Sequence, residues 1–169
     1  AQDDQDFFAA YVMNRVLGGG GFTSRLTQEV REKRGLTYGV YSYLAGFDQA
    51  DYYGGSVSSG NETIGDAIDI IKHEWDRMAA GGVTDAELDA AKKYMTGSYP
   101  LRFDGNGKIA NLLTYSQMND FPIDYPKNRN SYIEAVTKED IARVAERILH
   151  SDKMRFVVVG TPVDVPSTD

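Results

Sequence analysis

The chain contains no cysteine and only two histidines, His73 and His150. The absence of cysteine excludes disulfide bonds and zinc sites built from thiolates. Neither histidine has a second one four residues away, although His73-Glu74 resembles part of a zinc motif. We therefore expect His73 on a helix surface, His150 at a helix C-terminus, and no metal bound by this chain.

Positive charge is also scarce, because 18 lysines and arginines stand against 25 aspartates and glutamates, leaving a net charge of −7. No basic patch interrupts this acidic balance, so neither nucleic acid nor an anionic membrane is an expected partner. No apolar run approaches the roughly 18 residues needed to span a bilayer. The length of 169 residues corresponds to about one domain.

Apolar residues at helical spacing predict a first helix over about residues 3–17. The glycine run Gly18–Gly21 ends this helix and is best explained as a loop between two helices. It lacks the Gly-Lys-Ser/Thr ending of a phosphate-binding loop and follows a helix instead of a strand. A second helix is predicted after it, capped by Thr23 or Ser24 and stopped by Gly35.

Three segments have the composition of β-strands. Residues 38–44 and 51–59 are close enough for a hairpin, and 154–159 is a continuous apolar run that predicts a buried strand. The alternation in the first strand predicts that one face carries four residues. These are Tyr38, Val40, Ser42 and Leu44.

About four helices separate the second strand from the third. Asn61 is expected to cap the first of them, and Thr84 with Glu87 forms a capping box for the second. A similar sequence, in which a hydrophobic residue precedes a capping threonine, begins at Val136. Two further helices are predicted around residues 109–113 and 127–134.

Strands and helices are segregated along the chain, which predicts an α+β fold. We expect an antiparallel or mixed β-sheet covered on one face by about five to seven helices. The domain is expected to cover residues 1–160, with a frayed tail over 161–169. Three strands are few for so much helix, so we expect a further strand upstream of Ala1.

Three stretches of sequence resemble the inactive, C-terminal type of domain of the pitrilysin/insulinase (M16) zinc metallopeptidases. They are Leu17–Gly20, Ser24–Leu26 and Arg31–Ser42. The later phrases Val83–Leu88 and Val136–Ile141 fit the same pattern, so the resemblance spans most of the chain. It implies one half-unit of a clam shell made from two homologous domains.

The resemblance also implies that zinc binding and substrate contact belong to different domains. Zn²⁺ would be held by an H-x-x-E-H motif in another domain or subunit, and this chain would bind no cofactor. Arg31 and Tyr38, seven positions apart, match the arginine and tyrosine that contact peptide substrate near the zinc. By themselves, Arg31 would be one charge of a solvated helix face and Tyr38 a strand residue packing on a neighbour.

The resemblance implies that the chain is the substrate-binding part of a zinc endopeptidase that acts on peptides or unfolded polypeptides. This fragment alone is expected to be inactive. Its partners would be a peptide and a catalytic M16 domain or subunit, in an assembly that could be a homo- or heterodimer. A non-catalytic scaffold or interaction subunit is the main alternative, and a nucleotide-binding module is a remote one. The compartment stays open, with a bacterial periplasm or cytoplasm favoured.

Overall fold

The computed structural model describes residues 4–47 and 49–166. Within these ranges a helix, a π-helical turn at Thr27–Glu32 and a pair of strands are followed by five more α-helices. The strands are β1 (Thr37–Ala45) and β2 (Tyr52–Ser59). The α-helices are α1 (Phe7–Leu17), α2 (Ile64–Gly81), α3 (Asp85–Gly97), α4 (Asn106–Met118), α5 (Tyr125–Ala135) and α6 (Lys138–Ile148).

The two strands form an antiparallel hairpin, as their spacing predicts. The register aligns Val40 with Val57 and Ala45 with Tyr52. One face of the sheet is buried against helices and the other is open, which suits strands that alternate buried and exposed residues. Asp48, in the predicted connection, lies outside the described residues.

The core lies between the inner face of this hairpin, the π-helical turn and helices α1, α2, α3, α5 and α6. Burial of large aliphatic side chains is the main source of stability for such a core. Its largest fully buried apolar side chains are those of Val12, Met13, Leu17, Leu26, Val30, Met78, Ile133, Ile141 and Val144.

Helix α1 begins at Phe7, later than the predicted start at residue 3, which lies outside the described residues. Asp6, at the N-cap position, makes no capping hydrogen bond with its side chain. Its carboxylate is instead buried and paired with Arg143 at 2.6 Å and with Arg147 at 3.3 Å. This tertiary ion pair joins the start of α1 to α6.

Helix α2 is the long amphipathic helix that the sequence predicts, but Asn61 does not cap it. The N-cap is Thr63, without a side-chain capping bond. The Asn61 carbonyl accepts a hydrogen bond from the Val163 amide at 2.9 Å, and its side-chain amide donates to the Thr161 hydroxyl at 2.9 Å. The start of the predicted tail is therefore tied to the loop before α2.

Two capping boxes begin α3 and α6, as predicted. Thr84 accepts from the Glu87 amide while the Glu87 carboxylate accepts from the Thr84 amide, and Thr137 with Asp140 repeats the arrangement. The flanking residue Val83 is buried with the rest of the core. Such reciprocal bonds satisfy backbone donors that the first helical turn leaves unpaired.

The prediction of a buried strand at 154–159 is wrong for this structure. The run pairs with neither β1 nor β2, and Val157 and Val159 are almost fully exposed. An apolar run favours β-structure, but a strand exists only where a neighbour accepts and donates its backbone hydrogen bonds. A groove of about 360 Å³, floored by Ile68 and Trp75 of α2, separates the run from β2.

The α+β prediction, with an antiparallel sheet and helices within the expected number, is confirmed. Helices around 109–113 and 127–134 are also present, as parts of α4 and α5. In the ranges described, none of the helices combines the length and apolar character that crossing a membrane requires.

Candidate functional site

Arg31 lies on a widened turn of helix. The segment Thr27–Glu32 is π-helical, and the Lys33 amide reaches back five residues to the Gln28 carbonyl at 3.0 Å. Val30, one residue before Arg31, is fully buried and fixes the inner face of the turn. Such π-turns are uncommon and occur frequently at functional sites.

The guanidinium of Arg31 has only weak partners within the protein. It lies over the ring of Phe22, 4.7 Å from the ring centre, and its Nε is 3.5 Å from a carboxylate oxygen of Glu32. The side chain is 34% exposed. Since 3.5 Å exceeds the length of a strong charge-assisted hydrogen bond, most of the donors of Arg31 remain available to a ligand.

The other charges on this turn satisfy one another. Glu29 accepts from Lys33 at 2.6 Å, the predicted i,i+4 pair, and from Arg34 at 2.7 Å. The hydrogen bond from Lys33, followed by that from Arg34, lowers the pKa of Glu29. This closed cluster therefore leaves Arg31 as the loosely paired cation of the turn.

Gly35 ends the π-helical turn, as predicted. Its φ of +63° is readily available to glycine, and nothing would touch a Cβ there, so the backbone conformation alone explains the residue. The Gly35 amide bonds to the Arg31 carbonyl at 2.8 Å and the Leu36 amide bonds to the Val30 carbonyl at 3.0 Å. These bonds close the helix and direct the chain into β1.

Tyr38 is the extra residue of a β-bulge. Thr37 pairs with Ser59 and Gly39 with Ser58, so no residue of β2 lies opposite Tyr38. The Thr37 hydroxyl accepts from the Gly39 amide at 2.9 Å and lies 2.5 Å from the Ser58 carbonyl oxygen, which fixes the bulge. The side chain of Tyr38 is 95% exposed.

The bulge corrects the predicted face of β1. Val40 and Ser42 are buried and Leu44 is half-buried, but Tyr38 does not join them. Strict alternation assigns Tyr38 to the inner face, whereas one inserted residue shifts the pattern and leaves its ring in solvent. Sequence alternation alone gives no sign of such an insertion.

The structure brings Arg31 and Tyr38 to the two sides of the Gly35 turn. Neither a hydrogen bond nor a ring contact joins the two side chains. Both are accessible, and neither is needed to fill the core. They are therefore two separate donors on one short connection between helix and sheet.

Exposed aromatic rings cover the outer face of the hairpin, a feature that the sequence analysis did not single out. Tyr41 and Tyr43 have ring centres 6.1 Å apart, Tyr43 meets Tyr52 at 6.0 Å, and Phe47 stacks on Tyr52 at 5.9 Å. The sequence signal that could have indicated this surface is the alternation of Tyr41 and Tyr43 with Val40 and Ser42 along β1. Aromatic surfaces of this kind are common where a protein binds a peptide.

The glycine run forms a loop between helices, as predicted, and it packs very close to neighbouring atoms. A Cβ on Gly18 would lie 2.3 Å from the Ser42 hydroxyl oxygen, and one on Gly19 would lie 2.5 Å from the Asn14 amide nitrogen. Ser42 and Tyr53 both hydrogen-bond the Asn14 side chain, at 2.8 and 2.9 Å. The glycines thus let α1 approach the inner face of the sheet.

Arg25 holds the start of the π-helical segment against α3. Its buried guanidinium donates to both carboxylate oxygens of Glu87, at 2.7 and 2.8 Å, and to the Gly82 carbonyl at 2.9 Å. Partial burial would raise the pKa of Glu87, but the hydrogen bonds from Arg25 and from Thr84 lower it to about 2. Arg25 is therefore a structural residue.

The described residues do not fit a zinc site. Both His73 and His150 are exposed, and the His150 ring lies 3.1 Å from the Arg147 carbonyl oxygen. Across the described ranges, no three His, Cys, Asp or Glu side chains are grouped closely enough to hold a metal ion. His73 on the surface of α2 agrees with the sequence prediction.

The fold defines the protein as an α+β domain, in which Arg31 and Tyr38 lie beside the turn from helix to strand. Residues 1–95 match the family described as the peptidase M16 inactive domain. The chain belongs to this family, as the resemblance in the sequence implies.

Relatives and solved structures agree with this assignment. An uncharacterized zinc protease of Streptomyces coelicolor is 36% identical over 88% of this chain, and a non-peptidase homolog of Helicobacter pylori is 35% identical over 92%. A crystal structure of a peptidase M16 inactive domain from Pseudomonas fluorescens has a TM-score of 0.80 and 31% identity over 90% of this chain. The chain spans about a third of each of these proteins, namely 32%, 36% and 36%.

Proposed function

We propose that this chain is the substrate-binding, metal-free domain of a zinc-dependent endopeptidase that hydrolyses peptides or unfolded polypeptides. Zn²⁺ belongs to another domain or subunit, where it supplies an activated water as the nucleophile. Membership of the M16 inactive-domain family and the zinc-protease name of the Streptomyces relative support the proposal.

The observation that carries the proposal is the availability of Arg31 and Tyr38. Tyr38 places a phenol almost wholly in solvent, and the charge of Arg31 is only loosely paired. A phenol and a guanidinium are both hydrogen-bond donors, and arginine remains charged at any working pH. They suit the oxygen of a scissile carbonyl, which gains negative charge during attack.

Donors aimed at such an oxygen contribute about 3–4 kcal/mol each in oxyanion holes, which sets the scale expected here. The substrate is proposed to bind in an extended form along a sheet edge. Backbone pairing of this kind favours unfolded chains and gives only a weak preference for particular substrate sequences. The exposed rings of Tyr41, Tyr43 and Tyr52 offer apolar contacts beside it.

The catalytic M16 domain that completes the site is proposed to lie on the same polypeptide or on a second subunit, in a homo- or heterodimeric assembly. Arg31 and Tyr38 then act across the cavity between the two domains. The described residues of this chain contain no cluster of metal ligands, so peptidase activity is not expected from the chain alone.

The test uses the complete peptidase assembly with Arg31→Ala and Tyr38→Phe variants. We expect each to lower kcat/KM for a fluorogenic peptide by about a hundred- to a thousandfold, the scale of a lost oxyanion donor, with zinc content unchanged. Arg34→Ala and Tyr41→Phe are matched controls, because Arg34 is engaged by Glu29 and Tyr41 lies on the regular part of β1. Full activity of both test variants would contradict the substrate-contact assignment.

A scaffold or interaction subunit is the alternative, and the name of the Helicobacter relative, a non-peptidase homolog, favours keeping it. In a scaffold, neither Arg31 nor Tyr38 has a substrate to contact. The complete assembly would then lack both peptidase activity and a zinc-binding H-x-x-E-H motif, and Arg31→Ala would leave its composition unchanged.

A further inference from the structure

A polar pocket of about 240 Å³, whose lining includes neither Arg31 nor Tyr38, lies between the C-terminal ends of α1 and α3 and helix α5. Three arginines line it, Arg15 from α1, Arg102 from the segment after α3, and Arg129 from α5. No aspartate or glutamate is among its lining residues. In a chain with a net charge of −7, this is a local concentration of positive charge.

Within residues 4–47 and 49–166, none of these three arginines forms an ion pair, although every other arginine there except Arg155 does. Arg25, Arg34 and Arg143, for example, each meet a carboxylate at 2.6–2.7 Å. Burying a cation without a counter-charge is unfavourable, since desolvation is not offset by attraction. The pocket therefore combines positive charge with the absence of a protein anion.

Arg129 is the most buried of the three, with only 4% of its surface exposed. Its Nη1 donates to the Met95 carbonyl at 3.1 Å and lies 3.1 Å from the Asn130 side-chain oxygen. The guanidinium carbon lies 4.4 Å from the centre of the Tyr99 ring. These contacts hold the plane of the group, while no acceptor among the described residues meets Nε or Nη2.

Arg15, which lines the same pocket from α1, is held in a similar way. Its guanidinium lies over Tyr94, 3.7 Å from the ring centre, and its Nη1 donates to the Gly19 carbonyl at 3.3 Å. Stacking restrains the face of a guanidinium and leaves its edge for in-plane hydrogen bonds. Arg102 adds a third charge at the exposed rim.

We propose that this pocket binds an oxyanion, a phosphate or carboxylate group of a small ligand. Two preoriented guanidinium edges match the paired oxygens of such groups, and these charge-assisted bonds are strong. The bound anion supplies the counter-charge that Arg129 lacks. The site is separate from the proposed substrate contacts, because none of its lining residues lies on the π-helical turn or on β1.

Calorimetric titration of the intact protein at constant ionic strength in chloride tests the proposal. The probes are inorganic phosphate and an acetylated dipeptide with a free C-terminal carboxylate, compared with the amide of the same dipeptide. Binding of phosphate alone, or of the acid but not the amide, supports the site and identifies the oxyanion. Binding of neither probe at millimolar concentration overturns it.

The variants Arg15→Gln and Arg129→Gln are each expected to weaken binding about ten- to hundredfold, the range for a lost bond to a charged group. Arg155→Gln is the matched control, because Arg155 also makes no ion pair with a described residue but lies outside the pocket. Arg15 is only half-buried, so its variant tests the site even if Arg129→Gln does not fold. Equal weakening by Arg155→Gln would mean non-specific attraction and would overturn the proposal.

Discussion

The Glu87→Gln substitution tests how much of the fold depends on the charge of one carboxylate. Glutamine can still accept from the Thr84 amide as a capping residue, so the change isolates the ion pair with Arg25. In the variant the Arg25 guanidinium, 8% exposed, would face a neutral amide. The free energy of unfolding should therefore fall at neutral pH.

The size of the loss follows from the pKa of Glu87, which drops from its usual 4.5 to about 2. Each pKa unit corresponds to about 1.4 kcal/mol, so the whole shift is worth about 3 kcal/mol before screening. Because the Glu87 side chain is 27% exposed, solvent screening reduces the expected contribution to about 2 kcal/mol.

The pH dependence has a definite sign. A carboxylate whose pKa is lower in the folded state stabilises the protein fully above its unfolded pKa, here about 4.5. This stability disappears as the pH falls towards the folded pKa of about 2. The difference between wild type and variant should therefore be constant from pH 7 to 5, fall by about half near pH 3, and nearly vanish at pH 2.

Urea denaturation followed by circular dichroism measures this difference. Asp140→Asn is the matched control, since Asp140 caps α6 in the same way but pairs with Arg143, which is 55% exposed. A pair with such an exposed partner is expected to contribute less than about 1 kcal/mol. Equal losses in the two variants, or a Glu87→Gln loss that persists at pH 2, would refute the burial of Arg25 as the cause.

Two further substitutions test the packing beneath the site by the same denaturation assay. Gly18→Ala puts a Cβ within 2.3 Å of the Ser42 hydroxyl and should cost about 1–3 kcal/mol, whereas Gly97→Ala, with nothing within 4 Å, should be neutral or stabilising by up to about 1 kcal/mol. Equal effects would show that the glycine run is not closely packed. Tyr53→Phe removes the hydroxyl that donates to Asn14 at 2.9 Å and should cost about 1–2 kcal/mol. An unchanged free energy of unfolding would show that this hydrogen bond does not stabilise the core.

The features that the sequence predicts well depend on neighbouring residues. The capping boxes at Thr84 and Thr137 require partners three positions away, and the stop at Gly35 requires only its own φ. The hairpin is similarly local. Such elements can be predicted because their donors and acceptors lie within one turn of chain.

Features that depend on distant residues were predicted poorly. Asn61 resembles a helix cap, but its side chain bonds Thr161, a hundred positions later. The run 154–159 has the composition of a strand but finds no hydrogen-bonding neighbour in β1 or β2. Nothing in the sequence around Arg25 indicates Glu87 as its partner, and only the fold brings the two side chains together. Local pattern cannot anticipate tertiary partners.

The candidate pair shows a third kind of failure, in which the local pattern itself is broken by one residue. Arg31 lies where the helix widens to a π-turn, and Tyr38 is the unpaired residue of a bulge. Both irregularities weaken regular hydrogen bonding, yet each exposes a side chain that a regular helix or strand would place differently. Restoring regularity by deleting Tyr38 should return alternation to β1 while removing the exposed phenol. In the complete peptidase assembly that we propose, the expected result is a domain that stays folded and an assembly that loses peptide turnover. Retained turnover would contradict the proposed role of Tyr38.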